Sequence, residues 1–260
     1  MAFTTLTVET QDHVATITLN RPEKRNAITP EMIHEIAAAL DSIEIGPARV
    51  AILTGAGKAF CAGMDLEALK EFHSETPAHL LDDARRIAAM FHKIYLFPKP
   101  LIAAVNGAAV AGGCGIATFC DFTLAVPEAK FGYTEVRIGF MPAIVAAFVV
   151  RQVGDKRARD LLLSGRIFTA DEAFRMGLVN EVVPPERLMT RAMELAASLI
   201  ELSPTSLTFT KGLLRKFSEA EIDRELAMAI ELSTQIRGKA DFREGLAAFL
   251  EKRKPVWRGE

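Results

Sequence analysis

The 260-residue chain has the composition of an ordinary folded protein, with 50% hydrophobic and 25% charged residues. Its net charge of −2 offers no basic surface for nucleic acid or an anionic membrane, so neither is expected as a partner. Its three cysteines, an odd number, stand in apolar surroundings and indicate reduced core thiols, not a disulfide framework. No signal-peptide pattern and no apolar run of about 18 residues is visible, so we expect a cytoplasmic protein without a membrane span.

Strands and helices alternate over the first hundred residues. Residues 13–19 alternate in hydrophobicity and are rich in β-branched side chains, which is typical of a half-buried strand. Thr29 and Pro30 give a helix its N-cap and its first-turn proline, and an apolar face continues to residue 43. We further expect a strand over 50–53, a loop over 58–66 that runs into a helix, a mobile polar stretch over 67–76 and a helix over 80–95.

The segment from residue 100 to 142 carries the most informative pattern. An apolar strand over 101–105 is followed by a glycine-rich turn, a small-residue helix over 113–120 and a second strand over 122–126. A helix that starts after such a turn presents unpaired N–H groups, which stabilise a nearby negative charge. Glu135 then follows in the segment FGYTEVRIG. Anion-binding amides followed by a carboxylate indicate enolate or acyl chemistry, whereas the simpler interpretation is a buried strand–turn–helix with Glu135 at the surface.

From residue 143 onward the pattern becomes helical. Thr169 has capping-box spacing to Glu172, which predicts the start of a short helix. The other expected elements are helices over 143–153 and 156–163, a strand over 179–183, and helices over 186–201, 204–215, 218–237 and 240–251. Strand–helix alternation followed by helices alone predicts an α/β protein with a core over residues 1–195 and a helical C-terminal region over 196–260.

Several motifs of known chemistry are incomplete in this sequence. The segment 55–58 resembles part of a phosphate-binding P-loop, but Ala59 stands where Ser or Thr is needed. The segment 34–38 begins like a zinc-protease motif but has alanine in place of the second histidine. The glycines of 107–115 lack dinucleotide-binding spacing, no G-x-S-x-G nucleophile elbow occurs, and the five histidines form no ligand cluster. We therefore expect no metal site and no bound cofactor.

Two turns and one carboxylate remain as candidates for a site. The first turn spans residues 61–65 and the second spans residues 111–113. Backbone N–H groups from two separate turns can converge on one oxygen atom, which is the arrangement of an oxyanion hole.

In these features the sequence resembles the crotonase, or enoyl-CoA hydratase/isomerase, superfamily, and the resemblance covers nearly the whole chain. The matching segments occur in order at 20–22 with 26–27, 53–55, 60–66, 104–107, 111–114, 120–121, 131–132 with Glu135, 163–165, 177–179 and 249–253. The resemblance implies a crotonase-type spiral of ββα turns and an acyl-CoA thioester as substrate. Coenzyme A would therefore enter as part of the substrate, and no separate cofactor is needed.

The resemblance also implies an oligomer. Members of the superfamily use a C-terminal helical region for trimerisation, so we expect a homotrimer or a dimer of trimers. The tail helices carry an apolar face that includes Leu226, Ile230, Leu246 and Phe249. A single core does not readily cover such a face, which favours the same conclusion.

Site residues follow from the resemblance, position by position. The backbone N–H groups of Met64 and Gly112 would bind the thioester oxygen, and Glu135 would be the catalytic acid–base group. Contacts with the coenzyme A moiety are implied for Arg25, Ala27, Ala62, Asp65 and Leu66. A basic side chain near the C-terminus, such as Lys252, could reach a coenzyme A phosphate, although a solvated helix face is the more ordinary role for it.

The chain departs from the superfamily pattern at two places. Hydratases of the superfamily carry a first catalytic glutamate directly after the Gly-Gly-Cys run, and this chain has Gly115 there. Many of them also have a glycine-rich helix start where residues 143–148 here are AIVAAF. We expect the larger side chains to reshape the acyl end of the pocket.

Three functions remain open at this point. The first is an enoyl-CoA hydratase or 3-hydroxyacyl-CoA dehydratase for a short, branched acyl-CoA such as 3-methylglutaconyl-CoA or 3-hydroxy-3-methylglutaryl-CoA, because residues 133–140 resemble that branch of the superfamily. The second is a Δ3–Δ2 enoyl-CoA isomerase that uses Glu135 alone. The third is a non-catalytic acyl-CoA-binding protein or RNA-associated scaffold. Retention of Glu135 and the absence of a basic stripe argue against this third function.

Overall fold

The computed structural model of the protein describes residues 3–71 and 76–259. Within them the backbone forms ten strands in two sheets, together with eleven α-helices. The strands are β1 (Leu6–Gln11), β2 (Val14–Leu19), β3 (Val50–Gly55), β4 (Ala59–Cys61), β5 (Leu101–Val105), β6 (Ala108–Val110), β7 (Phe122–Ala125), β8 (Lys130–Gly132), β9 (Phe168–Thr169) and β10 (Glu181–Val182). The helices are α1 (Pro30–Ile45), α2 (Leu66–Glu71), α3 (Pro77–Tyr95), α4 (Gly112–Thr118), α5 (Ala143–Val153), α6 (Asp155–Ser164), α7 (Ala170–Met176), α8 (Leu188–Ile200), α9 (Pro204–Lys216), α10 (Glu219–Arg237) and α11 (Ala240–Leu250). The predicted α/β class is confirmed.

The larger sheet has six strands in the order β1-β2-β3-β5-β7-β10. All of its strand pairs except β1–β2 are parallel. Every residue of β3 and β5 is buried, as expected for central parallel strands covered by helices on both faces. This double burial explains why both strands were visible in the sequence as nearly continuous apolar runs.

The chain enters this sheet through a hairpin that was not predicted. β1 pairs antiparallel with β2 around Asp12 and His13, whose φ angles are 48° and 64°. Two successive residues with positive φ give the twist of a two-residue hairpin turn. The expected strand over 13–19 is therefore β2 without His13. β1 escaped prediction because it lies at the sheet edge, where only Leu6 of the strand is buried.

The smaller sheet has four strands in the order β4-β6-β8-β9. β4, β6 and β8 are parallel and have three residues each, while the two-residue β9 is antiparallel to β8. A strand of three residues is too short to show an alternating pattern in the sequence. The expectation of a loop over the β4 residues and of a glycine-rich turn over the β6 residues was therefore wrong.

The chain alternates between the two sheets in a repeating order. β3 joins the larger sheet and β4 the smaller one before α2 and α3 follow, and β5, β6 and α4 repeat the pattern. β7 and β8 repeat it again before a 3₁₀ helix at Glu135–Ile138 and α5. Each ββα turn thus adds one parallel strand to each sheet. This is the crotonase-type spiral implied by the resemblance, and that expectation is confirmed.

Side-chain caps fix several helix starts. Thr29 and Thr169 each accept a hydrogen bond from the backbone N–H three residues later, as the sequence predicts. Helix α3 begins earlier than expected, directly after its cap Thr76. The predicted mobile stretch over 67–76 falls partly on α2, and residues 72–75 lie outside the described residues.

The C-terminal helices pack back onto the rest of the chain. α8 lies against β3 and β5, α10 against α3 and α5, and α11 against the 3₁₀ helix of Glu135–Ile138. Leu226 and Leu246, expected on an uncovered face, are instead buried within the chain, whereas Phe249 is exposed. No strand follows β10 among the described residues, and none of the described helices is long and apolar enough to cross a membrane. The division at residue 195 stays a prediction.

Candidate active site

Three strand ends of the smaller sheet meet at one cavity of about 330 Å³. Met64 follows β4, Gly112 follows β6 and Glu135 follows β8, each by two or three residues, and all three line the cavity. Because β4, β6 and β8 are parallel neighbours, their carboxyl ends lie side by side. The remaining wall is mostly apolar and includes Ile28, Leu66, Leu69, Phe91, Phe140, Met141, Val145 and Phe249. The fold thus brings the three predicted catalytic residues together.

The backbone of Met64 is oriented by a parallel bridge to Ile28. The Ile28 N–H donates to the Gly63 carbonyl over 2.8 Å, and the Asp65 N–H donates to the Ile28 carbonyl over 2.8 Å. Successive N–H groups of an extended segment point to opposite sides, so the Met64 N–H points away from Ile28. It donates to no acceptor within the described residues. This amide is therefore available to an oxygen atom of a ligand.

The Gly112 N–H is available for a different reason. It is the first N–H of α4, so it has no acceptor in its own helix, and it finds none elsewhere in residues 3–71 and 76–259. Ala111 before it has a φ of 50°, which is uncommon for a residue with a side chain. A methyl group placed on Gly63 would lie 3.7 Å from the Gly112 nitrogen. Two unused amides therefore stand on adjacent turns, which is the arrangement of an oxyanion hole.

Glu135 opens the 3₁₀ helix that follows β8. Its Oε2 atom is shielded from solvent and has no hydrogen-bond partner among the described residues. Burial disfavours the charged carboxylate and raises the pKa of Glu135 from 4.5 to about 7. A carboxyl group with such a pKa can both accept and return a proton near neutral pH. The simpler interpretation of Glu135 as a surface residue is therefore wrong.

Gly115, where hydratases of the superfamily have their first glutamate, faces hydrocarbon. A methyl group added to Gly115 would lie 2.9 Å from Phe91 Cε1, 3.0 Å from Val145 Cγ1 and 3.2 Å from Phe119 Cε2. The Phe119 ring lies edge-on to Phe91 and packs on Phe148, with ring centroids 5.6 and 4.6 Å apart. The space of a second carboxylate is thus filled by aromatic side chains, and Glu135 is the single acidic residue among the described residues that line the cavity.

Of the five residues with an implied coenzyme A role, two line the cavity and three do not. Ala62 and Leu66 line the cavity directly. Asp65 is buried and forms an ion pair with Arg21 Nη1 at 3.0 Å, and the same nitrogen donates to the carbonyl of Ala27 over 2.7 Å. Asp65 and Ala27 are therefore held by a shared contact that shapes the turn before Leu66.

Arg25 is not among the residues that line the cavity. Its backbone is left-handed with a φ of 51°, and its carbonyl accepts the Ala62 N–H over 3.0 Å. Asn26 follows with a φ of 54° and is buried, where its side chain accepts from the Arg21 N–H over 2.9 Å. The side chain of Arg25 is exposed, which leaves it accessible to an anionic group. Lys252 is also exposed and is not part of the cavity lining.

The C-terminal helices add cavity residues that sequence reasoning did not identify. Ser233 and Arg237 of α10 and Phe249 of α11 line the same cavity. Arg237 is buried and forms an ion pair with Asp83 of α3, with Nη1 and Oδ2 2.8 Å apart. These side chains come from a region that the sequence marked only by its helical pattern, so no local signal connected them with the site.

The three cysteines are not reactive thiols, and the described residues contain no cluster of potential metal ligands. Cys61, Cys114 and Cys120 are free and buried, and burial raises the pKa of the Cys61 and Cys114 thiols to about 12. Both thiols are therefore neutral at physiological pH and poor nucleophiles. Among the described residues, no three His, Cys, Asp or Glu side chains gather closely enough to hold a metal ion.

Comparison with known proteins agrees with this geometry. The profile of the Enoyl-CoA hydratase/isomerase family matches residues 9–260. A Thermus thermophilus protein assigned as an enoyl-CoA hydratase is 43% identical over 244 residues, which cover 94% of this chain and 96% of that protein. The crotonyl-CoA hydratase of Syntrophomonas wolfei is 34% identical over 261 residues, with 98% of both chains covered. The crystal structure of an enoyl-CoA hydratase/isomerase from Xanthobacter autotrophicus Py2 has a TM-score of 0.89 and 33% identity, covering 97% of this chain and 98% of that one.

A spiral of ββα turns with two unused amides and one buried carboxyl group at a common cavity defines a crotonase-type protein. The match over nearly the full length goes further: the chain belongs to the enoyl-CoA hydratase/isomerase family. The family suggested by the sequence is thus confirmed. The expected enzyme class, a hydro-lyase, agrees with the names that the curated relatives carry.

Proposed function

We propose that the protein is an enoyl-CoA hydratase or 3-hydroxyacyl-CoA dehydratase for a short, branched acyl-CoA, such as the pair 3-methylglutaconyl-CoA and 3-hydroxy-3-methylglutaryl-CoA. The observation that carries the proposal is the meeting of the unused Met64 and Gly112 amides with the Glu135 carboxyl group at one apolar cavity. The branched substrate is supported by the resemblance of residues 133–140 to that branch of the superfamily.

The chemistry follows from the charge that the reaction creates. Removing the α-proton of a thioester leaves an enolate, whose negative charge lies largely on the thioester oxygen. The Met64 and Gly112 amides donate hydrogen bonds to that oxygen and so stabilise the transition state more than the ground state. Glu135, with its pKa raised to about 7, takes the α-proton in dehydration and returns it in hydration.

The β-carbon step has to proceed without a second carboxylate. Phe91, Phe119 and Val145 occupy the space next to Gly115, so water is not held there by a charged side chain. In the dehydration direction the Glu135 carboxyl group, once it holds the α-proton, passes a proton to the departing β-hydroxyl, which leaves as water. Departure relieves more crowding at the β-carbon of a branched substrate than at that of a linear one. The proposal therefore favours branched substrates over crotonyl-CoA.

A second function is favoured by the same hydrocarbon wall. A Δ3–Δ2 enoyl-CoA isomerase moves one proton between the α- and γ-carbons and needs no activated water. One carboxyl group and an oxyanion hole in a mostly apolar cavity are sufficient for that reaction. The non-catalytic alternative has no comparable support, because it leaves the raised pKa of Glu135 without a use.

Product analysis distinguishes these functions. The purified protein is incubated with crotonyl-CoA, 3-methylglutaconyl-CoA and 3-hexenoyl-CoA, and products are identified by mass and NMR. Gain of water by 3-methylglutaconyl-CoA at a higher kcat/KM than by crotonyl-CoA supports the proposed function. Conversion of 3-hexenoyl-CoA to its 2-enoyl isomer without a change of mass supports the isomerase instead. Binding of all three thioesters without any product contradicts both enzymes.

The assembly and substrate contacts complete the proposal. We place the coenzyme A moiety along the turns that carry Arg25, Ala27, Ala62, Asp65 and Leu66. The thioester lies at the two amides, and the acyl group lies toward the start of α5, whose residues 143–145 line the cavity. The exposed apolar side chains of Phe209, Leu213 and Phe217 support a homotrimer or a dimer of trimers. The protein is proposed to act in the cytoplasm.

A further inference from the structure

Tyr133 stands in the chain between β8 and Glu135, and its side chain is completely buried. Its hydroxyl oxygen lies 2.9 Å from Thr118 Oγ1, and Thr118 Oγ1 donates to the carbonyl of Cys114 over 2.9 Å. A threonine hydroxyl has one proton, and Thr118 uses it on the Cys114 carbonyl. The Tyr133 hydroxyl is therefore the donor to Thr118 Oγ1, and it also forms a side-chain hydrogen bond with the Cys114 thiol.

Both partners of Tyr133 belong to the helix that begins with Gly112. Thr118 is the last residue of α4 and Cys114 lies in its first turn. A second hydrogen bond joins the same segment to the start of α4, where the Ala111 N–H donates to the Gly132 carbonyl over 2.7 Å. The segment that carries Glu135 is thus hydrogen-bonded to α4 at two points. One is Ala111, directly before the helix, and the other is Thr118, the last residue of the helix.

Two attachments fix the orientation of a short helix where one does not. Helix α4 also packs on β4, β5 and β6, and its Ala117 carbonyl accepts from Thr123 Oγ1 over 2.8 Å. Those contacts do not join α4 to the segment that carries Glu135, whereas the bond from Tyr133 to Thr118 does. Gln152 of α5 strengthens the same end, because its Nε2 donates to the Thr118 carbonyl.

The buried hydroxyl group of Tyr133, rather than its ring, requires a physical explanation. A phenylalanine would fill nearly the same volume, and burying a hydroxyl costs free energy unless a hydrogen bond replaces the one lost to water. The bond to Thr118 provides that compensation and adds direction, which a ring packed among apolar neighbours lacks. A directional bond between the two halves of the site is suited to holding their separation constant.

We propose that Tyr133 is a positioning residue, which through Thr118 holds the oxyanion-binding Gly112 N–H at a fixed distance from Glu135. The expected change of rate rests on the proposed function, whereas the expected change in the position of Gly112 rests on the hydrogen bonds alone. Tyr133 touches neither the α-proton nor the thioester oxygen in this role. A displacement of about 1 Å in such a site can reduce a rate by about 100-fold, so losing one of two attachments should be measurable.

Tyr133→Phe tests the proposal, with Tyr95→Phe as the matched control. Tyr95 is the other of the two tyrosines, and its ring packs on Phe148 at 4.9 Å, but its hydroxyl bonds to no described residue. We expect Tyr133→Phe to lower the rate of α-proton exchange in heavy water about 5- to 50-fold, with KM for the acyl-CoA changed less than about twofold. We expect Tyr95→Phe to stay within about twofold of wild type.

Substitutions at Thr118 separate the hydrogen bond from general loss of packing. Thr118→Val removes the acceptor and should reproduce the loss seen in Tyr133→Phe, while Thr118→Ser keeps the hydroxyl and should restore most of the rate. The double variant Tyr133→Phe/Thr118→Val should lose clearly less than the sum of the two single losses, because the two substitutions share the bond between Tyr133 and Thr118. Additive losses in the double variant, or a wild-type rate in folded Tyr133→Phe, would overturn the proposal.

A crystal structure of Tyr133→Phe keeps this inference separate from the proposed function. If the wild-type protein exchanges no α-proton with any of the thioesters tested, the proposed function fails, and the structure alone then decides about Tyr133. A shift of the Gly112 nitrogen relative to Glu135, beyond the shift seen in Tyr95→Phe, supports the positioning role. Unchanged positions of both residues overturn it.

Discussion

A methyl group on Gly115 would lie 2.9 Å from the Cε1 atom of Phe91. That distance is shorter than carbon atoms adopt in a packed interior, so the position has no room even for alanine without movement of the ring. Superfamily hydratases have a glutamate there, and in this chain the corresponding space belongs to Phe91, Phe119 and Val145. Hydrocarbon side chains therefore fill the space beside Gly115 in this chain.

Gly115→Glu should consequently destabilise the protein without raising crotonyl-CoA hydration. Overpacking typically costs about 1–3 kcal/mol, and a carboxylate without a partner adds to that cost. Urea unfolding gives the stability, and absorbance of the enoyl thioester gives the hydration rate. The double variant Phe91→Ala/Gly115→Glu provides room, so its loss of stability should be smaller than the sum of the losses of the two single variants. A well-folded single variant with faster hydration would contradict the steric interpretation.

Glu135→Gln should lower the rate of α-proton exchange by about 10²- to 10⁴-fold, because glutamine keeps the size and hydrogen bonding of glutamate but cannot act as a base. Deuterium incorporation at the α-carbon in heavy water measures this step without any β-chemistry. Acyl-CoA affinity should change little. The exposed carboxylate Glu128, mutated to Gln, serves as the control and should exchange at the wild-type rate. Equal rates in Glu135→Gln and wild type would exclude Glu135 as the base.

The pH dependence of folding stability should also report on Glu135. The pKa of Glu135 is about 7 in the folded protein, against an ordinary value of 4.5 for the unfolded chain. Between these two pH values the folded state therefore binds more protons than the unfolded state. The contribution of Glu135 to the free energy of unfolding is therefore fully present below pH 4.5. It is lost as the pH rises through about 7, by up to roughly 3 kcal/mol. Glu135→Gln should become more stable relative to wild type as the pH increases from 5 to 8. A constant difference across denaturant titrations at these pH values would contradict the raised pKa.

The rate should depend on the same ionisation in the opposite direction. Proton abstraction needs the carboxylate, so the rate of α-proton exchange should rise with pH and level off above about 7. The exchange rate of wild type is measured from pH 5 to 9 with saturating acyl-CoA. A plateau that already begins near pH 5 would place the ionisation at the ordinary value for glutamate.

Gly112→Val should impair catalysis more than folding. A methyl group at Gly112 would lie 3.2 Å from Ile28 Cδ1 and 3.6 Å from Phe91 Cζ, so valine intrudes on the cavity beside the amide. Loss of one oxyanion donor typically costs about 10²- to 10³-fold in rate. Gly212→Val on α9, where no atom lies within 4 Å of the added carbon, is the control. A folded Gly112→Val protein with near wild-type kcat would remove Gly112 from the oxyanion hole.

Helix α9 should form part of a subunit interface. Phe209 and Leu213 of this helix and Phe217 directly after it recur every fourth residue and are 76%, 53% and 71% exposed, so together they form one apolar stripe. We expect light scattering to show a trimer or hexamer at micromolar concentration, and Phe209→Asp/Phe217→Asp to reduce the assembly. Leu163→Asp, at a residue 74% exposed on α6, should leave it unchanged. A monomeric wild-type protein would contradict the expected oligomer.

The sequence by itself determined the elements with long or strongly marked patterns. The buried strands β3 and β5 are apolar runs, and the helix that begins after Thr29 carries its cap and proline in the sequence. Ordered motif matches along the chain were sufficient to identify the family and to select Met64, Gly112 and Glu135 as candidates. These features are readable because each depends on the identity of residues close together in the chain.

Only the tertiary structure decided how those residues form a site. β4, β6 and β8 have three residues each, too few for a periodic pattern, yet their parallel pairing brings the two amides and the carboxyl group to one edge. Backbone N–H groups are the same in every residue but proline, so which of them lack an acceptor depends on pairing, not on sequence. The pKa of Glu135, the hydrocarbon around Gly115 and the bond from Tyr133 to Thr118 all arise from contacts between segments distant in the chain, because burial and hydrogen bonding are properties of the packed molecule.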